Sequence, residues 1–124
     1  MLQSANKNDN NPNLDKVAVQ KILNSVPFDR GFHFFSDVGK YTGETAVNLF
    51  SFREELRTIE LQSVRFHFGR RDFQNWVKGT LGDMELAERM DRIDAKLSDE
   101  RLKRELIMVV QVRFEELQTL LKAL

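Results

Sequence analysis

The last quarter of the chain carries the strongest folding signal, because apolar side chains recur there every three or four residues. Ser98 can cap a helix, and the two acids that follow it suit the positive end of a helix dipole. This period places apolar side chains on one helical face, so we predict a terminal helix that begins after Ser98. Its stripe is formed by Ile107, Val110, Phe114, Leu117, Leu121 and Leu124, flanked by Leu102, Leu106 and Val109.

Arg113 interrupts this stripe, because on a helix it falls between Leu106 and Leu117 on the apolar side. A bare guanidinium among apolar side chains costs a large free energy. We therefore expect Arg113 to be partly buried and paired with an acid, and we favour Asp72 or Asp83 as that partner.

Two shorter helices are expected on either side of Gly82. Asp72 can cap the first of them. Gly82 suits the left-handed position that ends a helix, and Asp83 can cap the next one. The apolar faces are formed by Phe73, Trp76, Val77 and Leu81 in the first helix and by Leu86, Ala87, Met90 and Ile93 in the second.

The N-terminal part of the chain is less regular. Residues 1–13 are rich in asparagine, and we predict a disordered leader there. Asn13 can cap a helix over about residues 14–24. Residues 28–41 are aromatic but contain glycines, which favours a short extended segment at 32–35.

The middle of the chain predicts further helices. Thr42 can cap a helix that runs to about residue 59. Residues 60–68 fit a strand or a helix, because the apolar residues alternate and also share a helical face, and we favour the helix. The sequence thus predicts one mainly all-α domain over residues 14–124, a compact bundle of about five helices with an irregular or short extended aromatic segment near residues 28–41.

The composition excludes several classes of protein. The absence of cysteine excludes disulfides, thiolate nucleophiles, iron–sulfur clusters and cysteine zinc sites. The 19 basic and 19 acidic residues cancel, which disfavours nucleic-acid binding, since that needs a basic excess or a basic face. No apolar run reaches the roughly 20 residues that cross a membrane, and the apolar core of a signal peptide is lacking. We expect a cytoplasmic protein without a cofactor.

Residues 65–76 concentrate side chains that can carry chemistry. Arginines beside a helix N-terminus can form an anion pocket, because guanidinium groups and free backbone amides attract the same charge. We expect the side chains of His67 and Arg71 to face one concavity beside Trp76, with Asp72 orienting one of them. The candidate ligand-binding residues are His67, Arg70, Arg71, Asp72 and Trp76.

The two histidines permit an enzymatic interpretation. His33 and His67 each precede an acid, Asp37 and Asp72, and could supply metal ligands or a general base. Metal sites usually have more closely spaced pairs, and no nucleophile, phosphate-loop or zinc-protease motif occurs. A small metal-dependent or acid–base enzyme that uses His67 with Asp72 or His33 is the alternative to a binding module.

Two further roles are open for the same region. Arg65, Arg70 and Arg71 could contact nucleic acid in a regulator. His67 and Arg71 could instead only tie their turn to the rest of the fold. The residue types fit these two roles as well as they fit anion binding.

The end of the terminal helix offers a separate surface. Its apolar residues continue to the end of the chain, and exposed apolar patches often mark interfaces. We therefore expect a protein partner or a symmetric dimer to form there. The residues concerned are Leu117, Leu120, Leu121 and Leu124.

Two motifs have defined spacing, namely Phe66-His67-x₃-Arg71-Asp72-Phe73-x₂-Trp76 and Leu81-Gly82-Asp83-x₂-Leu86-Ala87. With them the chain resembles an uncharacterised prokaryotic family, a domain of unknown function that is common in archaea and some bacteria. The resemblance covers about residues 28–120 and implies a small, mainly helical domain without an assigned activity. Our leading hypothesis is a non-enzymatic binding or accessory module that acts through protein or anionic-ligand contacts.

Overall fold

The computed structural model describes residues 14–124. The predicted leader at residues 1–13 lies outside the described residues, as does Asn13. The first helix, α1 (Lys16–Leu23), is capped by Asp15, whose carboxylate accepts a hydrogen bond from the backbone N–H of Ala18 at 2.9 Å. The expectation that Asn13 caps this helix is therefore wrong by two residues.

The chain is mainly helical, as predicted, but it is not all-α. Within residues 14–124 it forms six α-helices and one two-stranded antiparallel sheet. A single 3₁₀ turn, Phe28–Arg30, precedes the sheet, and a π-helical turn, Val77–Leu81, follows α4. The elements after α1 are β1 (Phe32–Asp37), β2 (Lys40–Ala46), α2 (Leu49–Thr58), α3 (Leu61–Gly69), α4 (Asp72–Trp76), α5 (Met84–Asp91) and α6 (Asp99–Ala123).

The predicted helix start at Thr42 is wrong, because Thr42 lies in the middle of β2. Its hydroxyl donates a hydrogen bond to the carbonyl of Phe34 on β1 at 2.7 Å. The helix begins instead after Asn48, whose side chain accepts a hydrogen bond from the N–H of Ser51, while the Ser51 hydroxyl accepts one from the Asn48 N–H. This reciprocal cap satisfies two amide donors that a helix N-terminus would otherwise leave free.

Residues 61–69 form helix α3, which confirms the preference for a helix there. Asp72 does not cap the next helix. It is the first residue of α4, and Arg71 occupies the capping position with a φ of 62° in the left-handed region. Asp72 therefore directs its carboxylate back toward α3 rather than to the amides of its own helix.

The predicted turn around Gly82 is confirmed. Gly82 has a φ of 82°, and the carboxylate of Asp83 accepts a hydrogen bond from the N–H of Leu86 at 3.2 Å, which caps α5. Ser98 caps α6 in the same manner, through the N–H of Arg101.

Helix α6 runs along the centre of the fold and contacts α1, α2, α3 and α5. Its buried face is rotated relative to the predicted stripe, and Ile107, Phe114 and Leu121 lie at the edge of that face. The residues at its centre are Leu102, Leu106, Val110, Arg113 and Leu117.

Arg113 is buried and paired, as expected, and its partner is Asp83 rather than Asp72. Its Nε lies 2.9 Å and its Nη2 3.0 Å from the two carboxylate oxygens of Asp83. This two-pronged contact satisfies the guanidinium and explains how a charge can occupy the apolar face.

Aromatic rings fill the part of the core beneath the sheet. Phe32 contacts Phe73 and Trp76, with ring centroids 5.0 Å and 5.8 Å apart. Phe52 closes the cluster from α2, 5.6 Å from Phe73. The hairpin is thus held by its apolar side chains against α2 and α4. No helix within residues 14–124 is long and apolar enough to cross a membrane.

Candidate functional site

A cleft of about 340 Å³ lies between the β1–β2 hairpin and the C-terminal end of α3. We call it the hairpin–α3 cleft. One wall comes from β1 and the turn to β2, the other from α3 and the first residue of α4. Its lining includes Phe35, Asp37, Val38, Gly39, Phe66, His67, Arg70 and Asp72, with Gly31, Phe32 and His33 at one end.

Helix α3 holds the outer side of β1 through the backbone of Phe35. Ser63 donates a hydrogen bond from its hydroxyl to the Phe35 carbonyl at 2.7 Å, and the Phe35 N–H donates to His67 Nε2 at 2.8 Å. Ser63 and His67 are four residues apart on α3 and therefore share a helical face. Together they satisfy the backbone groups that an edge strand would otherwise leave open.

The hydrogen bonds of His67 define its charge state. Because Nε2 accepts the Phe35 N–H, the ring proton must be on Nδ1, which lies 2.9 Å from the carboxylate of Asp72 and donates to it. Burial lowers the pKa of His67, and the opposing effect of Asp72 is smaller. His67 is therefore a neutral imidazole with both nitrogens engaged.

Arg70 lies at the rim of the cleft, and its side chain is 56% exposed. Its guanidinium carbon stands 4.9 Å from the centre of the Phe66 ring, and its Nε lies 3.1 Å from Asp72. Within residues 14–124, Asp72 is its one ion-pair partner. More than half of the Arg70 side chain is open to solvent beside the cleft.

The other two arginines of this region point elsewhere. Arg71 forms a two-pronged ion pair with Asp91 of α5, and its side chain is 58% exposed. Arg65 donates to Asp99 at 2.7 Å and to the carbonyls of Ala95 and Leu97. The three arginines diverge from one another and do not form a shared basic patch.

Trp76 belongs to the core and does not line the cleft. It is buried, and its indole N–H donates to the carbonyl of Arg30 at 2.9 Å. Of the five candidate residues, His67, Arg70 and Asp72 meet at the cleft, whereas Arg71 and Trp76 do not. The predicted convergence of His67 and Arg71 beside Trp76 is therefore wrong, although Asp72 does orient His67.

The two histidines lie at the same cleft but are engaged with different partners. His33 Nδ1 lies 2.8 Å from the hydroxyl of Thr45, which in turn lies 2.5 Å from the hydroxyl of Tyr41. His67 has no free lone pair, as described above. Among the described residues, no three histidine or carboxylate side chains are placed to hold a metal ion together.

Sequence reasoning missed Ser63, which secures the cleft wall. Its only signal was its spacing of four residues from His67, and a serine at such a spacing is common on helices. It also missed the turn residues Val38 and Gly39, because the hairpin itself was not predicted. The contacts become visible only when β1 lies against α3.

Comparison with protein families agrees with the expected membership of a domain family of unknown function. No curated protein and no solved structure matches the chain significantly. Residues 29–123, which contain both strands and helices α2 to α6, match the model of DUF5752, a family of unknown function, and the chain therefore belongs to that family.

Proposed function

We propose that this protein is a non-enzymatic binding module that holds a small anionic ligand with an apolar body in the hairpin–α3 cleft. The observation that carries the proposal is the position of Arg70, which lines the cleft, contacts Asp72 through Nε and has a largely exposed side chain. A guanidinium recognises a carboxylate or phosphate through two parallel hydrogen bonds.

The walls of the cleft support an apolar ligand body. Phe66 lies under the Arg70 guanidinium, and Phe35 and Val38 belong to the opposite wall. A volume of about 340 Å³ lies at the lower end of the range for small-molecule sites, which combine apolar walls with a few polar anchors. An aromatic or branched aliphatic carboxylate matches both features.

The same geometry gives less support to acid–base catalysis by His67. A general base needs a free lone pair within reach of the substrate proton. The lone pair of His67 Nε2 accepts the Phe35 N–H, and Nδ1 carries the proton that it donates to Asp72. The pair resembles a base with its orienting acid, but it serves the packing of β1 on α3.

The arginines give little support to nucleic-acid binding. Phosphate contacts need cations on one face. Arg65 and Arg71 are each occupied by an acid on a different element, Asp99 and Asp91.

Self-association through the end of α6 also has reduced support, because Leu117 is buried in the core. Leu120 and Leu121 are half-buried, and of the four leucines in that interface proposal only Leu124 is exposed. The remaining apolar surface is small for a stable dimer.

The proposal is tested by titrating the ¹⁵N-labelled protein with benzoate and phenyl phosphate, with benzyl alcohol as the neutral control. We expect the two anions to shift the amide signals of Phe35, Val38 and Gly39, and benzyl alcohol to have a weaker effect. Arg70→Gln should weaken anion binding by about tenfold or more, since a charge-assisted hydrogen bond contributes about 1.5–3 kcal/mol.

Arg71→Gln is the matched control, because Arg71 is the adjacent arginine and is equally exposed but pairs outside the cleft. It should leave anion binding unchanged. The proposal is wrong if no cleft signal responds to either anion, or if Arg70→Gln and Arg71→Gln have the same effect.

A further inference from the structure

The polar side chains of the hairpin–α3 cleft carry both signs of charge. Arg70 and Asp72 line the cleft side by side, and Nε of Arg70 lies 3.1 Å from Oδ2 of Asp72. His67 donates its Nδ1 proton to the same oxygen, and it is neutral because its Nε2 accepts the N–H of Phe35. The charged pair at this wall of the cleft is therefore one carboxylate and one guanidinium.

The second carboxylate oxygen of Asp72 is open to a ligand. Both contacts of this carboxylate are made by Oδ2, and no hydrogen bond from residues 14–124 reaches Oδ1. The Asp72 side chain is 25% exposed and belongs to the cleft lining. Each oxygen of a carboxylate has two lone pairs that accept hydrogen bonds. Oδ1 can therefore accept hydrogen bonds from a ligand that also reaches Arg70.

Another carboxylate lines the opposite wall of the cleft. Asp37 ends β1, and its Oδ1 accepts a hydrogen bond from the N–H of Val38 at 2.7 Å. Lys40 is its neighbour across the hairpin, but within the described chain it forms no ion pair with Asp37 and does not line the cleft. The lining thus contains two carboxylates and one guanidinium.

A ligand with a negative charge alone meets these acids as well as Arg70. An anion bound to the Arg70 guanidinium also lies near Asp72, because the two side chains are in contact. Repulsion between like charges at short range offsets part of the attraction to the guanidinium. An ammonium group beside the anion reverses this effect, since it can donate to Oδ1 of Asp72 through charge-assisted hydrogen bonds.

We propose that the ligand of the hairpin–α3 cleft is an apolar α-amino acid in its zwitterionic form. This ligand class rests on the proposed function and narrows it. The carboxylate of the ligand binds Arg70, and its ammonium group binds Asp72. These two groups share one carbon of the amino acid, so their spacing suits two side chains that are in contact. The apolar side chain of the ligand lies between Phe35 and Phe66, in a cleft whose volume of about 340 Å³ suits a molecule of this size.

The test uses L-phenylalanine, 3-phenylpropionate and 2-phenylethylamine, which share a phenyl group and differ in their charged groups. Each is titrated into the ¹⁵N-labelled protein at neutral pH, where phenylalanine carries both charges. We expect phenylalanine to shift the amide signals of Phe35, Val38 and Gly39. It should bind about tenfold or more tightly than either of the other two ligands, which is the usual contribution of one hydrogen bond to a charged group.

Removal of the acidic charge should remove the preference for phenylalanine over 3-phenylpropionate. Asp72→Asn keeps an oxygen that can accept the His67 proton, and it should bind the two ligands about equally. Asp37→Asn keeps an acceptor for the N–H of Val38, leaves His67 untouched, and should reduce the preference in part. The matched control, Glu88→Gln, removes the same charge from an exposed side chain of α5 outside the cleft and should keep the full preference.

Failure of this inference can be distinguished from failure of the proposed function. If the wild type binds 3-phenylpropionate as tightly as phenylalanine, or if benzoate shifts the cleft signals and phenylalanine does not, the amino-acid ligand is wrong and the anion site stands. If 2-phenylethylamine binds as tightly as phenylalanine, or if no anion and no amino acid shifts the cleft signals, both are wrong. A preference for phenylalanine that persists in Asp72→Asn and in Asp37→Asn overturns the binding of the ammonium group by these carboxylates.

Discussion

At the scale of single residues, His67 links three parts of the chain through one uncharged ring. It accepts the N–H of Phe35 from β1 and donates to Asp72 of α4, while its own backbone belongs to α3. A second proton on the ring would place an N–H against the N–H of Phe35. The hydrogen bonds thus require the neutral form, and burial acts in the same direction by lowering the pKa of His67.

This requirement makes the stability of the protein depend on pH. The histidine of the unfolded chain binds a proton near its usual pKa of 6.5, and folded His67 binds it only at a lower pH. The contribution of neutral His67 is complete above about pH 6.5 and is lost as the pH falls from there through the folded-state pKa. We expect the free energy of unfolding, measured by urea denaturation, to fall between about pH 7 and pH 5 more steeply than in His67→Gln.

Ser63→Ala is the control, because it removes the other contact to Phe35 without removing a titratable group. It should lower the free energy of unfolding by about 1–3 kcal/mol, since it leaves a carbonyl without its donor, and it should keep the wild-type pH slope. Equal pH slopes in the wild type and His67→Gln would contradict the assignment of a neutral His67.

At the scale of secondary-structure elements, short turns fix how successive helices meet. The π-helical turn after α4 ends at Gly82, and α5 begins directly after Asp83. The carbonyl of Val77 accepts the N–H of Asp83 at 3.0 Å, which closes the turn. The position of Asp83, and with it the ion pair to Arg113, depends on the left-handed backbone at Gly82.

Gly82→Ala should lower the free energy of unfolding by about 1–2 kcal/mol, because a Cβ disfavours the left-handed region. The surroundings of Gly82 are open, so the cost is conformational rather than steric. Gly79→Ala is the control, because Gly79 has a negative φ and open surroundings, and it should be neutral or slightly stabilising. Chemical denaturation of both variants measures the difference, and equal effects would contradict the role assigned to Gly82.

At the scale of the whole molecule, a charged network joins α5 to α6 across the core boundary. Asp83 binds Arg113 and caps α5, and Glu116 accepts hydrogen bonds from both Arg113 and Arg89. Hydrogen bonds from Arg89 and Arg113 lower the pKa of Glu116, and the hydrogen bonds that Arg89 donates to Glu116 and Glu85 raise the pKa of Arg89. Asp83 and Arg113 are the buried members of the network, and loss of Asp83 would leave the Arg113 guanidinium with Glu116 alone, which Arg89 also binds.

Removal of Asp83 should therefore be more harmful than removal of Arg113. We expect Asp83→Ala to lower the free energy of unfolding by about 3–5 kcal/mol, because it leaves the buried Arg113 guanidinium with only its contact to the partly exposed Glu116 carboxylate. It also removes the helix cap, worth about 1 kcal/mol. Arg113→Met should cost less, since an apolar side chain suits the buried face of α6 and Asp83 keeps its bond to the N–H of Leu86.

Asp91→Ala provides the comparison at the surface. Asp91 pairs with Arg71, whose side chain is mostly exposed, and such pairs contribute about 1 kcal/mol or less. Urea denaturation of the three variants should rank Asp83→Ala first and Asp91→Ala last. A cost for Arg113→Met equal to or above that of Asp83→Ala would contradict this account of the buried pair.

The sequence predicted those features that depend on neighbouring residues. The cap at Ser98, the turn at Gly82 and the cap at Asp83 follow from local hydrogen bonds and backbone preference, and all three are present. Local periodicity also permitted helix α3, although the same residues fitted a strand. The burial of Arg113 was predictable because a charge within an apolar stripe must find a partner.

The β1–β2 hairpin is a feature that neighbouring residues could not predict. Thr42 followed by Gly43 and Glu44 has the composition of a helix start, yet the segment is a strand because β1 supplies its hydrogen bonds and the aromatic core holds β1. Strand preference depends on the packing of a surface more than on the residue itself. No local pattern could therefore separate the two outcomes.

By itself, then, the sequence determined the mainly helical class, the caps at Asp83 and Ser98, the turn at Gly82 and the membership of one family, because these depend on spacing and on contacts within a few residues. The tertiary structure decided which side chains meet. It brought His67 to Phe35 and Asp72, turned Arg71 and Trp76 away from the cleft, and left Arg70 at its mouth. The physical reason is that a site is formed by segments that are distant along the chain. The relative positions of these segments depend on the packing of the whole core, and residue spacing does not specify that packing.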